Sequence, residues 1–406
     1  MTRLHDIVLF GASGFTGRLV AEVLQSIGAR DPGLRWALAG RQPERLAAVR
    51  DAIGADASLP LLTADAADRA ALGALAREAR LVITTVGPYQ RHGEPLVTAC
   101  ADAGADYVDL CGEPLWMARM IPKLQPRAAA SGARIVFSCG FDSVPFDIGV
   151  VFLQQQMMER HGASAVEVRS RVTAMKGGFS GGTAASALAT VEAIAADRRL
   201  ARVLADPFAL TPGFRGPAQP DGDAASLDDW AQAWTAPFVM APINTKNVHR
   251  THALRGHPWG ADFTYSERQQ TGPGSRGEAR AKALARQARL TELLLGIEPA
   301  RALIRRWVLP QPGEGPDRQA RERGRYELVI TGRSAAGQRL SVRVRGEGDP
   351  GYGSTSRMIV QAALCLLRDT DHRATPGGVW TAGAAMGLAL QRRLQAHAGL
   401  VFEVLD

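Results

Sequence analysis

Three glycines spaced three residues apart, Gly11, Gly14 and Gly17, follow the apolar run at residues 7–10 and precede a helical pattern carrying Leu19, Val20, Val23 and Leu24. Strand, glycine turn and helix in that order make a cradle for a pyrophosphate. The first glycine permits a tight exit from the strand, the second lets backbone N–H groups approach the phosphates, and the third allows helix and strand to pack closely. The phosphates would rest on the positive end of the helix, with the hydroxyls of Ser13 and Thr16 as further donors. Gly11, Ser13, Gly14, Phe15, Thr16 and Gly17 are therefore the expected nucleotide-binding residues.

The end of the next strand decides which dinucleotide fits. An NAD site places a carboxylate there for the ribose 2′-OH. This chain has Gly40 and Arg41, with Arg45 one helical turn later. A guanidinium pairs with a 2′-phosphate in a fork geometry, so NADP(H) is the expected cofactor.

Three further strands complete the chemistry. Residues 81–86 end at Gly87, Pro88 and Tyr89; residues 106–110 end at Cys111, Gly112 and Glu113; residues 134–138 end at Cys139, Gly140, Phe141 and Asp142. In parallel sheets fed by helices, ligands lie beyond the carboxyl ends of the strands, so these turns form a candidate wall around the nicotinamide. Gly87 and Pro88 are expected to line the cofactor. Hydride transfer also needs an acid to protonate the partner atom, and Tyr89, His92, Glu113 and Asp142 are the candidates on this wall. Each also has a structural reading: Tyr89 as packing, His92 as a loop residue, Glu113 as a helix-cap partner and Asp142 as a turn former. Cys111 and Cys139 have no histidine placed by local sequence to activate them and read as small packing residues.

The elements that must position these groups alternate between strand and helix patterns through the first third of the chain, as in a doubly wound parallel sheet. With 406 residues, 46% hydrophobic and 22% charged, the chain can bury more than one core, and two domains are expected. The formal net charge of +8 comes from scattered arginines, with only four lysines and no basic run interleaved with aromatics, so no nucleic-acid partner is expected. Four cysteines without paired short spacing give neither a zinc site nor a disulfide framework, and no metal is expected. The first strand begins within about five residues, leaving no room for a signal peptide. No apolar stretch of about twenty residues could span a bilayer, so a cytoplasmic location is expected.

Past residue 150 the alternation weakens. Residues 166–175 read as a strand leading into a second glycine-rich turn, 176–183, which could hold an anion or be a plain helix start capped by Ser180 or Thr183. Residues 206–229 read as an exposed loop or flap. Residues 290–309 mix leucines with arginines: a core-facing helix pair interrupted near Pro299 is expected, with an amphipathic membrane-surface element as the alternative. Residues 326–331 and 339–344 alternate around a turn at 334–337 and read as a β-hairpin.

Taken together, the glycine turn, the Ala39-Gly40-Arg41 strand end, Val86-Gly-Pro-Tyr89, Tyr107-Val-Asp-Leu-Cys-Gly-Glu113 and Cys139-Gly-Phe-Asp-Ser-Val-Pro-Phe-Asp147 resemble the saccharopine dehydrogenase-like oxidoreductases, and within them the bacterial trans-acting enoyl reductases. The resemblance extends to residues 178–183, 349–355, 377–381 and 402–404. It implies an α/β fold: an N-terminal Rossmann domain with a doubly wound parallel sheet (1–150), an inserted α+β substrate domain (151–350) and C-terminal helices returning to the first domain (351–406). It further implies an NADP-dependent reductase acting on an enoyl or carbonyl group of a lipid-like or polyketide-like substrate. A dehydrogenase of an amino-acid-derived imine and a non-enzymatic NADPH-binding, lipid-associated protein are the alternatives. Peripheral membrane contact and a homodimer complete the partner expectations.

Overall fold

A computed structural model describes residues 3–177, 181–307 and 315–405, with side chains 181–184 and 304–307 also outside the description. Two seven-stranded sheets organise the chain. Six strands of the first arise in sequence: β1 (His5–Phe10), β2 (Trp36–Gly40), β3 (Leu61–Thr63), β4 (Ala79–Thr84), β5 (Asp106–Val108) and β6 (Arg134–Val136). The remaining strands are β7 (Ala165–Lys176), β8 (Ser226–Asp228), β9 (Ala233–Pro237), β10 (Thr264–Gly272), β11 (Arg325–Ser334), β12 (Arg339–Glu347), β13 (Gly378–Trp380) and β14 (Leu400–Leu405).

The first sheet runs β13-β6-β5-β4-β1-β2-β3, all parallel. Helices cover both faces, so its central strands are buried throughout and read as continuous apolar runs. Ile7, Leu9, Leu38, Leu81 and Ile83 pack on one face, and Val8, Phe10, Ala37, Ala39 and Val82 on the other. The order reverses between β1 and β4, and that switch point opens a crevice beyond the strand ends. This is the doubly wound arrangement expected from the sequence.

The second sheet runs β14-β12-β11-β7-β10-β9-β8 and is mixed: β7 and β10 are parallel, the other pairs antiparallel. The expected hairpin is β11 and β12, longer at both ends than its alternation indicated. Helix Val144–His161 joins the two sheets. It starts at the turn after β6 and buries Phe146, Val150 and Leu153 in the same core as Ile330 and Val344 of the second sheet. The last fifty residues serve both sheets: β13 extends the first, and β14 pairs with β12 of the second, a return the sequence reading did not include.

Two expectations change. The stretch at 206–229 is irregular and mostly exposed or half-buried up to β8, as expected of a loop, but it is not a free flap: Leu210 and Thr211 are buried, and Arg250 donates to the Leu210 carbonyl at 2.6 Å. The helix pair near 290–309 does exist, as Gly274–Gly296 and Glu298–Trp307, but Leu290, Leu293, Leu294 and Leu303 face solvent rather than a core. Among the described residues, no helix is long and apolar enough to cross a membrane. Of the candidate caps of the second glycine turn, Ser180 and the side chain of Thr183 lie outside the description.

Candidate active site

Gly11 leaves β1 with φ +89°, and a Cβ there would fall 2.6 Å from Val86 Cγ2 beside the end of β4. A Cβ on Gly17 would sit 2.1 Å from the Gly11 carbonyl oxygen, so helix Phe15–Gly28 approaches the strand end only because residue 17 lacks a side chain. Gly14 is the N-cap, extended and without a side-chain cap, which leaves the first-turn N–H groups for an anion. Ser13 and Thr16 are half-buried in the same turn. Phe15 is held edge-on against Tyr352 at 5.2 Å, so the returning chain braces the loop.

Gly40 closes β2 with its Cα beside Ser13, and a Cβ there would lie 3.9 Å from Ser13 Oγ. Arg41 and Arg45 follow, both exposed; Arg41 Nε stands 4.0 Å from an Asp65 carboxylate across open solvent. Such a loose surface contact holds little energy and leaves the guanidinium available. Arg18, which the sequence reading passed over, donates Nε–H to the Ser13 carbonyl at 3.2 Å and adds a third cation at the turn. Its signal was a basic residue in the helix's first turn, directly after Gly17. These residues fit a dinucleotide carrying a 2′-phosphate.

The wall beyond β4, β5 and β6 is a hydrogen-bonded unit. Glu113 is buried and accepts from the N–H groups of Tyr89 and Gln90, both at 2.8 Å, so its carboxylate caps helix Tyr89–Ala103 from the neighbouring strand end. Ser186, on helix Gly181–Ala196, donates to the same carboxylate at 2.7 Å and brings that helix over Gly87. Asp109 accepts from the N–H groups of Cys111 and Ser138 and from the Tyr107 hydroxyl, each at 2.9 Å, tying the end of β5 to that of β6. Burial nevertheless pushes its carboxyl up to about 7.

The four acid candidates meet different surroundings. The Tyr89 hydroxyl donates to the Thr84 carbonyl at 3.3 Å and accepts from the Leu110 N–H at 3.1 Å, and burial drives the phenol well above its ordinary range. His92 is exposed on helix Tyr89–Ala103. Glu113 has its oxygens occupied as a cap. Asp142 is half-buried, but its Oδ1 is sealed from solvent with no hydrogen-bond partner, and burial lifts the carboxyl to about 7. Cys111 and Cys139 are fully buried, and burial drives both thiols well up.

Opposite Asp142 the second sheet supplies residues that the sequence reading did not single out. On helix Ala241–Leu254, Asn247 donates to Ser143 Oγ and Asn244 to Glu267 Oε1 of β10, both at 2.7 Å. Positions three apart share a helix face, so one face clamps the turn after β6 to β10. Glu267 is buried, also accepts from the Tyr265 hydroxyl at 2.9 Å, and is lifted to about 8, chiefly by burial with a contribution from the Asp142 charge. Met240, heading this helix, comes within 3.9 Å of a Cβ built on Gly112. The candidate site is thus bounded by the first sheet's strand ends on one side and by Met240 and Asn244 of this helix with Glu267 of β10 on the other.

A groove of about 740 Å³ between helices Phe15–Gly28, Thr355–Arg368 and Gly387–His397 lies away from this site. Its arginines are engaged: Arg368 pairs with Asp31, Arg393 with Asp369, and Arg357 donates to the Ala398 and Glu347 carbonyls.

Comparison with known proteins places this geometry. Residues 7–136 match the NADP-binding domain of saccharopine dehydrogenase. A trans-acting enoyl reductase of Mycobacterium ulcerans is 38% identical over 97% of this chain and 96% of its own length. The chain belongs to the saccharopine dehydrogenase-like oxidoreductases. A Mycobacterium tuberculosis protein, 42% identical over 97% of this chain and 96% of its own, carries the same activity provisionally in its name. Saccharopine dehydrogenase (L-Glu forming) of Saccharomyces cerevisiae shares the fold, with a TM-score of 0.52 at 13% identity, over 99% of this chain and 100% of that one. As a saccharopine dehydrogenase-like oxidoreductase, the protein takes NADP as its cofactor, the choice read from Arg41.

Proposed function

We propose that this protein reduces a conjugated carbon–carbon double bond, or the related carbonyl, in an apolar lipid-like or polyketide-like substrate at the expense of NADPH. The observation that carries the reading is Asp142, a carboxyl with one sealed, unpartnered oxygen on the strand-end wall beyond the dinucleotide turn. The names of the mycobacterial relatives support the enoyl class.

Gly11, Gly14 and Gly17 would hold the pyrophosphate, with Arg18 beside them, and Arg41 and Arg45 the 2′-phosphate. When bound, NADPH supplies the hydride. Glu113 fixes helix Tyr89–Ala103 and, through Ser186, helix Gly181–Ala196, so that the wall keeps its shape and water is kept out. Asp142 retains its proton near neutral pH and donates it to the substrate atom that becomes basic as the double bond is reduced. A carboxyl near 7 is matched to that task at cellular pH. Tyr89 shapes the wall through its bonds to β4 and β5 rather than giving up its proton. Met240, partly buried at the head of helix Ala241–Leu254, offers apolar surface suited to an acyl chain.

The test is NADPH oxidation across a panel of enoyl and keto thioesters of increasing chain length. Turnover is expected with an enoyl thioester, and Asp142→Asn should lower kcat by about 100-fold or more, the usual contribution of a general acid, with NADPH affinity unchanged. An inert panel would remove the reductase reading. Full activity in Asp142→Asn would remove Asp142 as the donor.

A further inference from the structure

Helix Gly274–Gly296 has two opposed faces. Gly277, Ala281 and Ala285 are its buried residues, four apart, and this face lies against the second sheet, where Thr271 Oγ1 donates to the Gly277 carbonyl at 2.8 Å. On the opposite side Leu290, Leu293 and Leu294 follow at i, i+3 and i+4, one continuous stripe that the C-cap residue Ile297 follows in sequence. Their exposures are 56, 63, 37 and 49%. Leu303, on the following helix Glu298–Trp307, is 61% exposed. The break between the helices is clasped by Arg301, which donates to the Leu295 carbonyl at 3.0 Å. Large exposed apolar side chains elsewhere on the described surface are scattered singly, as is ordinary; five together in one helical arm are not.

Charge indicates what covers the stripe. Arg286 lies one turn before Leu290 on the same face and Arg289 on its flank, whereas Glu292 projects on the opposite side. The sequence from 286 to 306 carries five arginines against two glutamates. A leucine stripe bordered by cations fits the boundary between acyl chains and anionic headgroups, where apolar burial and charge attraction add. A like-charged copy of the same arm would instead repel. The arm also packs against helix Gly181–Ala196, whose Ser186 bonds Glu113 in the active-site wall, so a surface docked here lies next to the site.

We infer that this arm docks the protein on an anionic phospholipid membrane surface. The apolar stripe enters the interface, the arginines contact phosphates, and the site is held beside the bilayer from which an apolar substrate would come. Docking is peripheral and stands apart from whether the site reduces enoyl groups.

The test uses the full chain and sedimented vesicles of pure phosphatidylcholine or of equal parts phosphatidylcholine and phosphatidylglycerol. Wild type should partition onto the anionic vesicles and be released by salt, since each arginine near an anionic surface strengthens binding roughly fivefold. The combined Leu290→Glu, Leu293→Glu and Leu294→Glu variant changes only exposed side chains. It should lose about tenfold or more of that partitioning while binding NADPH as wild type does. Arg286→Gln with Arg289→Gln should weaken partitioning on anionic vesicles alone. The inference is overturned if wild type stays in the supernatant, or if the triple variant sediments equally. A dimer in sedimentation velocity that the triple variant dissolves, without vesicle binding, would equally overturn it and assign the face to a second copy of the chain.

Discussion

Replacing Asp142 by Asn should change how stability depends on pH. In the unfolded chain this carboxyl titrates at its ordinary 3.8; in the folded protein burial lifts it to about 7. Between those values the native state holds a proton that the unfolded state has released, so the native-state advantage is complete below about pH 4 and is lost as pH rises to about 7. At about 1.4 kcal/mol per pH unit, the wild type should lose roughly 2–3 kcal/mol between pH 5 and pH 8 on account of this group. Asn keeps the shape of the protonated acid and has no proton to lose. Any fixed cost of burying its amide is the same at both pH values and cancels in the comparison. Asp109, at about 7, slopes the same way in both proteins and cancels; Glu267, raised to about 8 in part by the Asp142 charge, relaxes downward in the variant and so widens the gap in the same direction. The measurement is guanidinium unfolding of wild type and Asp142→Asn at pH 5 and pH 8, read as the difference of differences. A stability gap that does not move with pH would refute the claim that Asp142 is held protonated in the fold.

Other outcomes follow from the same geometry. Gly17→Ala puts a methyl 2.1 Å from the Gly11 carbonyl oxygen, so helix and turn must separate; NADPH affinity should fall by about 100-fold with a stability loss of about 1–3 kcal/mol, measured by cofactor fluorescence and chemical unfolding. Arg41→Ala should erase the preference for NADPH over NADH, a loss of about 1.4 kcal/mol or more, and leave NADH affinity unchanged in the same titration. Glu113→Ala leaves the Tyr89 and Gln90 N–H groups without their cap and should cost about 1–2 kcal/mol, seen as a lower unfolding midpoint.

The dinucleotide half of the site was legible because backbone geometry dictates it. Gly11 must adopt positive φ and Gly17 must admit a carbonyl oxygen, and only glycine meets both demands. The strand-end wall was legible because a doubly wound sheet fixes where its carboxyl edges converge: Tyr89 and Glu113 share a hydrogen bond there, Asp142 follows β6 near Glu267, and His92, read from the same loop, lies exposed on the helix. Nothing local separates their roles. That Glu113 caps a helix from an adjacent strand, while Asp142 keeps an unpartnered oxygen, depends on distances across strands. Glu267, Asn244 and Asn247 were missed because they approach from β10 and from helix Ala241–Leu254, far along the chain from the strand-end turns. The signal for the two asparagines was polar residues without helical periodicity in 241–254, a helix that buries nine of its fourteen residues. At 290–297 the periodicity showed an apolar stripe but not which side met the core; the small residues at 277, 281 and 285 already filled the inner face.

The most direct measurement of the central claim is isotope transfer from NADPH deuterated at C4 of the nicotinamide, incubated with the protein and an enoyl thioester, with the product read by mass spectrometry. The account predicts one deuterium on the carbon distal to the thioester and one solvent-derived proton on its neighbour, with incorporation slowed in Asp142→Asn. An unreduced thioester, with the deuterated cofactor bound but unconsumed across the whole panel, would contradict it.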